Sequence, residues 1–103
     1  KIHNKLVRDK IPQVLEEYGV LAEVNVLTDV EYRLALLDKL VEEAKELRES
    51  NGSIEERADV EEVIRALDNV LGFTAKNIEK ARIKKPDVRG GFTKRIYLKK
   101  TTE

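Results

Sequence analysis

The sequence predicts an all-α fold, an antiparallel helical bundle of about four helices with two short strands in the terminal regions. Apolar residues recur at helical spacing along most of the chain, capping patterns precede two long runs, and glycine-containing breaks separate the runs. A length of 103 residues fits one core, so a single domain over residues 1–103 is expected.

The first helix is predicted over residues 6–18, where apolar side chains fall at helical spacing and Gly19 supplies an end. Pro12 is compatible with this helix only in the first turn, where its missing N–H is not needed. Residues 22–27 alternate apolar and polar side chains, with valines on one side. That alternation predicts a short edge strand.

The second helix is predicted from the capping-box spacing of Thr28 and Glu31 to about residue 49. Asn51 and Gly52 break it, and Ser53 and Glu56 repeat the capping spacing before a third helix that reaches about residue 71. Because the link is tight, these two helices should lie antiparallel.

The last third of the chain is predicted to hold one more helix and one more strand. Thr74 opens a helix to about residue 84, and Pro86 with Gly90 and Gly91 marks a loop. Residues 92–99 then read as a second strand.

The composition excludes several functional classes. The 20 basic and 20 acidic residues balance, so no overall field draws the protein to a nucleic acid polymer or an anionic membrane. The absence of cysteine excludes disulfides, thiolate zinc sites and thiol nucleophiles. No apolar run is long enough for a membrane span and no signal peptide is visible, so a cytoplasmic location is expected.

Four carboxylates lie at the edges of the apolar stripes instead of opposite them. In the third helix, Glu56 and Asp59 fall on or beside the stripe. In the second, Glu43 borders the stripe, with Glu46 one step further round, whereas Glu42 points away. The antiparallel pairing brings the last turns of one helix beside the first turns of the next. The four carboxylates can therefore converge in one cleft.

Such a cluster needs a cation, because desolvated carboxylates repel one another. Mg²⁺ prefers oxygen ligands, and phosphate oxygens of a substrate commonly complete its coordination. The alternative is a set of exposed charges paired with neighbouring basic residues, namely Lys39, Lys45, Arg48 and Arg57. Glu56 also has a competing role as the capping partner of Ser53. Two acidic pairs near one turn favour the metal interpretation.

These acidic residues resemble a known signature. Residues 40–46 and 56–59 are similar to the Glu-Glu-x-x-Glu and Glu-x-x-Asp halves of the MazG group of all-α nucleoside triphosphate pyrophosphohydrolases. Residues 4–12 and 89–92 resemble the ends of its small phosphoribosyl-ATP pyrophosphohydrolase-like "house-cleaning" members. The resemblance implies Mg²⁺, or Mn²⁺ as a substitute, at Glu43, Glu46, Glu56 and Asp59. It also implies a homodimer or higher homo-oligomer.

Basic residues suggest contacts to a triphosphate at two places. Lys5 and Arg8 lie near the start of the sequence, and Arg89 and Lys94 flank a di-glycine. No covalent nucleophile is apparent, so direct attack by water, activated by Glu42 or Glu43, is expected. The resemblance implies attack at the α-phosphorus, which converts an NTP or dNTP, including non-standard ones, to monophosphate and pyrophosphate.

Two other functions remain open from the sequence. Phosphoribosyl-ATP pyrophosphohydrolase of histidine biosynthesis would use the same metal chemistry with a different substrate pocket. A non-catalytic helical interaction module would leave the acidic pairs solvated and bind no Mg²⁺. Base and sugar specificity depend on pocket shape, which the sequence does not give.

Overall fold

A computed structural model describes the backbone of residues 1–103 and all side chains except those of residues 85–87. The helices are α1 (Ile11–Glu17), α2 (Asp29–Glu49), α3 (Ile54–Leu71) and α4 (Ala75–Arg89). Their presence confirms the all-α class. The chain divides into two compact units, Lys1–Leu71 and Gly72–Glu103.

Helix α1 is shorter than the sequence predicted. It has Pro12 in its first turn and ends at Glu17, with Tyr18 as the C-cap before Gly19, whose φ of 75° is left-handed. A longer helix starting at residue 6 would have placed the Pro12 ring against the carbonyl of Arg8. Residues before α1 are instead non-helical, and Leu6 packs against the core.

Helix α2 begins with the predicted capping box. The Thr28 hydroxyl accepts a hydrogen bond from the Glu31 amide at 3.3 Å, and the Thr28 amide donates to the Glu31 carboxylate at 3.0 Å. Two amides that have no partner within the helix are thereby satisfied. This reciprocal pair fixes the first turn of the longest helix.

The turn between α2 and α3 depends on two left-handed residues, Asn51 with φ 57° and Gly52 with φ 94°. The Ser53 hydroxyl then accepts from the Glu56 amide at 3.2 Å. The Ser53 amide, however, donates to the Ser50 hydroxyl at 3.1 Å. Only half of the second predicted capping box is present, and the Glu56 carboxylate is left for another role.

Helices α2 and α3 pack on each other as an antiparallel hairpin. The middle of α2 meets the second half of α3 in a buried cluster of Leu36, Val63 and Leu67. At the turn, the end of α2 meets the first residues of α3 through Glu46 and Glu56. Leu36 is 3% exposed, and burying such a side chain contributes about 1.5–3 kcal/mol. The two helices therefore lie antiparallel, as predicted.

The two predicted strands are wrong, since no strand forms along the described backbone of residues 1–103. Val24 and Val26 are exposed, so the alternation at residues 22–27 has no face to bury. In the second predicted strand, residues 92–99, the Arg95 amide donates to the Phe92 carbonyl at 3.1 Å and closes a turn. A period-two pattern predicts a strand only where a neighbouring strand completes the hydrogen bonds.

The unit Gly72–Glu103 is built on α4. The amide of Thr74 donates to the Asn77 side chain at 2.8 Å, and the amide of Asn77 donates to the Thr74 hydroxyl at 3.1 Å. The helix continues past the predicted end at residue 84 and stops before Gly90, whose φ of 78° is left-handed. Among the described residues, no helix combines the length and apolar character needed to cross a membrane.

Replacing Leu36 by Ala should lower the free energy of unfolding by about 2–5 kcal/mol, because it leaves a cavity between α2 and α3. Leu21→Ala is the control, since Leu21 is almost fully exposed. Urea unfolding followed by circular dichroism measures both variants. Equal losses for the two would contradict the assignment of Leu36 to the core.

Candidate metal centre

Three carboxylates converge where α2 and α3 meet beside their connecting turn. Glu43 and Glu46 come from the last two turns of α2, and Glu56 comes from the first turn of α3. One oxygen from each can be chosen such that all three lie within 4.8 Å of one another. The structure therefore brings together three of the four residues that the sequence predicted as metal ligands.

Two oxygens of this cluster are buried without a hydrogen-bond partner among the described residues. They are Oε2 of Glu43 and Oε2 of Glu56. Glu43 is 7% exposed, which is unusual for a glutamate. A buried polar atom without a partner costs about 1–3 kcal/mol, and more when it is charged. Each of these oxygens could therefore accept a cation, a proton or a hydrogen bond from water.

Lys39 contacts two carboxylates of α2, one of which is Glu43 of the cluster. Its Nζ lies 3.3 Å from Oε1 of Glu42 and 3.2 Å from Oε1 of Glu43. The sequence interpretation treated Lys39 only as one of several ordinary surface partners. Its position three and four residues before the two glutamates, on the same side of the helix, was the signal that could have identified it.

Burial and a neighbouring carboxylate both act on Glu43. Desolvation, together with the proximity of Glu46, raises the pKa of Glu43 above its ordinary value, although Lys39 opposes this. Burial lowers the pKa of Lys39, but its contacts with Glu43 and Glu42 outweigh that effect and leave the pKa raised. Lys39 therefore only partly offsets the cost of charging Glu43.

The fourth predicted ligand, Asp59, lies outside this group and is paired with a basic residue. Nη2 of Arg8 donates to Oδ1 of Asp59 at 2.7 Å. Similarly, Nζ of Lys5 lies 3.6 Å from Oε1 of Glu42. Both basic residues were predicted to bind phosphate, and the segment before α1 places them against acidic residues of the hairpin.

Within the unit Lys1–Leu71, Glu43, Glu46 and Glu56 form the candidate metal centre. A cleft of about 280 Å³ adjoins this centre at Glu43. Its lining is mixed, with an apolar wall that includes Tyr32 and Leu36. The charged side chains on the cleft are Arg8, Asp9, Lys39, Glu43, Asp59 and Glu62. Glu62 was not singled out from the sequence. An anionic ligand entering this cleft would meet both Arg8 and Glu43.

The other two predicted phosphate contacts belong to the second unit. Arg89 is the last residue of α4, and Lys94 lies in the turn that follows. Both side chains are exposed. Their role in phosphate binding stays a prediction.

The residues of the centre fit a hard divalent cation. All the converging donors are carboxylate oxygens, which Mg²⁺ and Mn²⁺ prefer, and no histidine or cysteine ligand is needed. The unpartnered oxygens of Glu43 and Glu56 would each gain a partner from such an ion. Phosphate oxygens and water would complete the coordination of Mg²⁺.

The raised pKa of Glu43 predicts how stability without metal depends on pH. The folded protein holds this proton more tightly than the unfolded chain, whose carboxyl has the ordinary value of 4.5. The associated stability is present below that value and is lost as pH rises through the raised pKa. Because Glu46 contributes to the shift, Glu46→Gln should reduce this loss.

Melting temperatures in EDTA, measured between about pH 4 and pH 8, test this dependence. Glu49→Gln is the control, because it removes an exposed carboxylate from the end of the same helix. A pH profile of Glu46→Gln that matches those of the wild type and the control would contradict coupling between Glu43 and Glu46.

Comparison of the chain with protein family models, with curated proteins and with solved structures found no match. The candidate metal centre therefore rests on its own geometry.

Proposed function

We propose that this protein is a Mg²⁺-dependent nucleotide pyrophosphohydrolase. The observation that carries the proposal is the convergence of Glu43, Glu46 and Glu56 with two buried oxygens that lack a partner. The charged lining of the adjoining cleft holds Arg8 and Lys39 beside four carboxylates, so a phosphate-bearing ligand would enter it together with the cation. The bond that is cleaved is taken from the resemblance to the MazG group.

Glu43, Glu46 and Glu56 would hold the ion, and Asp59 would join them if Arg8 released it. Mg²⁺, or Mn²⁺ in its place, would neutralise charge on the triphosphate and make a nearby water molecule more acidic. The pairing of Arg8 with Asp59 supports an exchange of partners. Both residues would keep an oppositely charged neighbour if Asp59 turned to the ion and Arg8 to a phosphate.

Lys5 and Arg8 would bind the triphosphate from the segment that precedes α1. Both side chains are roughly half exposed, so they can reach a ligand without losing a buried position. Arg8 would offer two parallel N–H groups to phosphate oxygens, and Lys5 would act as a point charge. Arg89 and Lys94 of the second unit stay predicted phosphate contacts, because they flank glycines that let backbone amides approach an anion.

The proposed reaction is attack by water on the α-phosphorus. A bond forms between the water oxygen and the α-phosphorus, and the bond to the oxygen bridging to the β-phosphorus breaks. Glu42 or Glu43 would act as the base: the Glu42 side chain is 31% exposed, whereas Glu43 is buried and lines the cleft. The products are a nucleoside monophosphate and pyrophosphate.

We also propose that two or more copies associate through the outer side of α2. Val30, Leu34, Leu37 and Val41 repeat at helical spacing there, and each is at least 44% exposed. The outer side of α3 instead carries ion pairs of Glu61 with Arg57 and Arg65.

Neutralising one carboxylate of the centre should remove hydrolysis while leaving the fold intact. Glu46→Gln should lower kcat/KM by more than about 100-fold, beyond the usual effect of changing a residue that only supports a ligand. Glu49→Gln should retain activity. Release of monophosphate from a panel of NTPs, dNTPs and phosphoribosyl-ATP, measured with Mg²⁺, checks both variants.

Hydrolysis in ¹⁸O-labelled water identifies the phosphorus that is attacked. The label should appear in the monophosphate, because pyrophosphate then carries only its original oxygens. Label in pyrophosphate would mean attack at the β-phosphorus, and orthophosphate with a diphosphate would mean a different reaction. Absence of both Mg²⁺ binding and hydrolysis would favour a non-catalytic helical module.

Leu37→Glu should shift the protein toward the monomer, because it places a charge in the apolar stripe of α2. Sedimentation equilibrium at several concentrations measures the association. Asn69→Glu is the control, since it adds the same charge at an exposed position of α3. This interface would be contradicted by a wild-type protein that is monomeric at every concentration. It would also be contradicted if Asn69→Glu weakened the association as much as Leu37→Glu.

A further inference from the structure

Lys39 occupies an unusual place for a lysine. Its side chain is only 15% exposed, although lysines are rarely buried unless they are paired. The ammonium group lies between two carboxylates of α2, at 3.3 Å from Oε1 of Glu42 and 3.2 Å from Oε1 of Glu43. The core residues Leu36 and Leu40 flank it along α2. Burial of the stem therefore restricts where the charged end can go.

The two oxygens of Glu43 differ in their surroundings. Oε1 accepts the contact from Lys39, whereas Oε2 is buried without a hydrogen-bond partner among the described residues. The same carboxylate group contributes an oxygen to the cluster with Glu46 and Glu56. One side of the carboxylate is thus held by the protein, and the other lacks a partner.

We propose that Lys39 is a positioning residue of the metal centre. It holds Oε1 of Glu43 and thereby fixes the carboxylate so that Oε2 is available to the cation. Carboxylates that bind metals are themselves held by hydrogen bonds, and loss of such a partner typically weakens metal binding by about 10–100-fold. This inference rests on the proposed function, because it assumes that the centre binds Mg²⁺.

A lysine beside a metal centre could instead act only as a counter-ion that replaces the metal when none is bound. The two roles predict opposite effects on affinity. Removing a mere counter-ion takes a positive charge away from the cation and should tighten Mg²⁺ binding. Removing a positioning residue frees the Glu43 carboxylate to adopt other orientations and should weaken it.

Calorimetric titration with Mg²⁺ separates these roles. Lys39→Met keeps the length of the side chain but removes its charge and its donors, and the dissociation constant should rise by about 10–100-fold. Lys39→Arg restores a donor and a charge and should recover most of the affinity. Lys45→Met is the matched control, because it removes the same charge from an exposed position of α2 and should leave the affinity close to that of the wild type.

Circular dichroism and melting in EDTA establish that the variants are folded. If Lys39→Met does not fold, Lys39→Gln replaces it, since its side chain is too short to hold Glu43 in the same way. Tighter or unchanged Mg²⁺ binding in the variant without Lys39, beside a wild type that binds Mg²⁺, overturns the positioning role alone. A wild type that does not bind Mg²⁺ overturns the proposed function and this inference together.

Discussion

The burial of the Glu43 carboxylate at the junction of α2 and α3 is the constraint around which the centre is arranged. Glu43 lies one helical turn beyond the apolar positions that pack against α3, so it is buried along with them. Withdrawing a carboxylate from water is costly unless a cation or a set of donors replaces the lost solvation. Lys39 supplies one contact, and Oε2 remains without one.

The basic segment that precedes α1 lies against the acidic hairpin. Arg8 and Lys5 are paired with Asp59 and Glu42, so positive side chains lie against the acidic hairpin on more than one side. Exposed ion pairs of this kind contribute only about 0–1 kcal/mol to stability. Partners held that weakly can be exchanged, which suits residues proposed to pass from a carboxylate to a phosphate.

The helical hairpin could be predicted from the sequence because its signals are local. Thr28 and Glu31 form the expected box, and the Asn51–Gly52 turn ends α2 where the pattern indicated. The convergence of Glu43, Glu46 and Glu56 followed from helical periodicity and an antiparallel turn. Periodicity fixes the side of a helix to which a residue belongs, and the short turn fixes which ends meet.

Other features depended on contacts that periodicity does not encode. The pairing of Arg8 with Asp59 joins residues 51 positions apart in the sequence, and no local pattern signals it. The sequence pattern allows Glu56 either a capping role or a metal-binding role, and the capping partner, the Ser53 amide, bonds instead to the Ser50 hydroxyl. The alternation at residues 22–27 indicated a strand, but whether a strand forms depends on a partner that the segment itself cannot supply.

The short turn at Asn51 and Gly52 also bears on how the protein folds. The carboxylates of Glu46 and Glu56 come from residues only ten positions apart, so closing this part of the centre requires a small loop. Hairpins with such low contact order form rapidly compared with structures built from distant segments. The centre should therefore assemble early along the folding pathway, before the segment carrying Arg8 docks. If the centre binds a divalent cation as we propose, that ion would find these carboxylates together before the rest of the chain has folded.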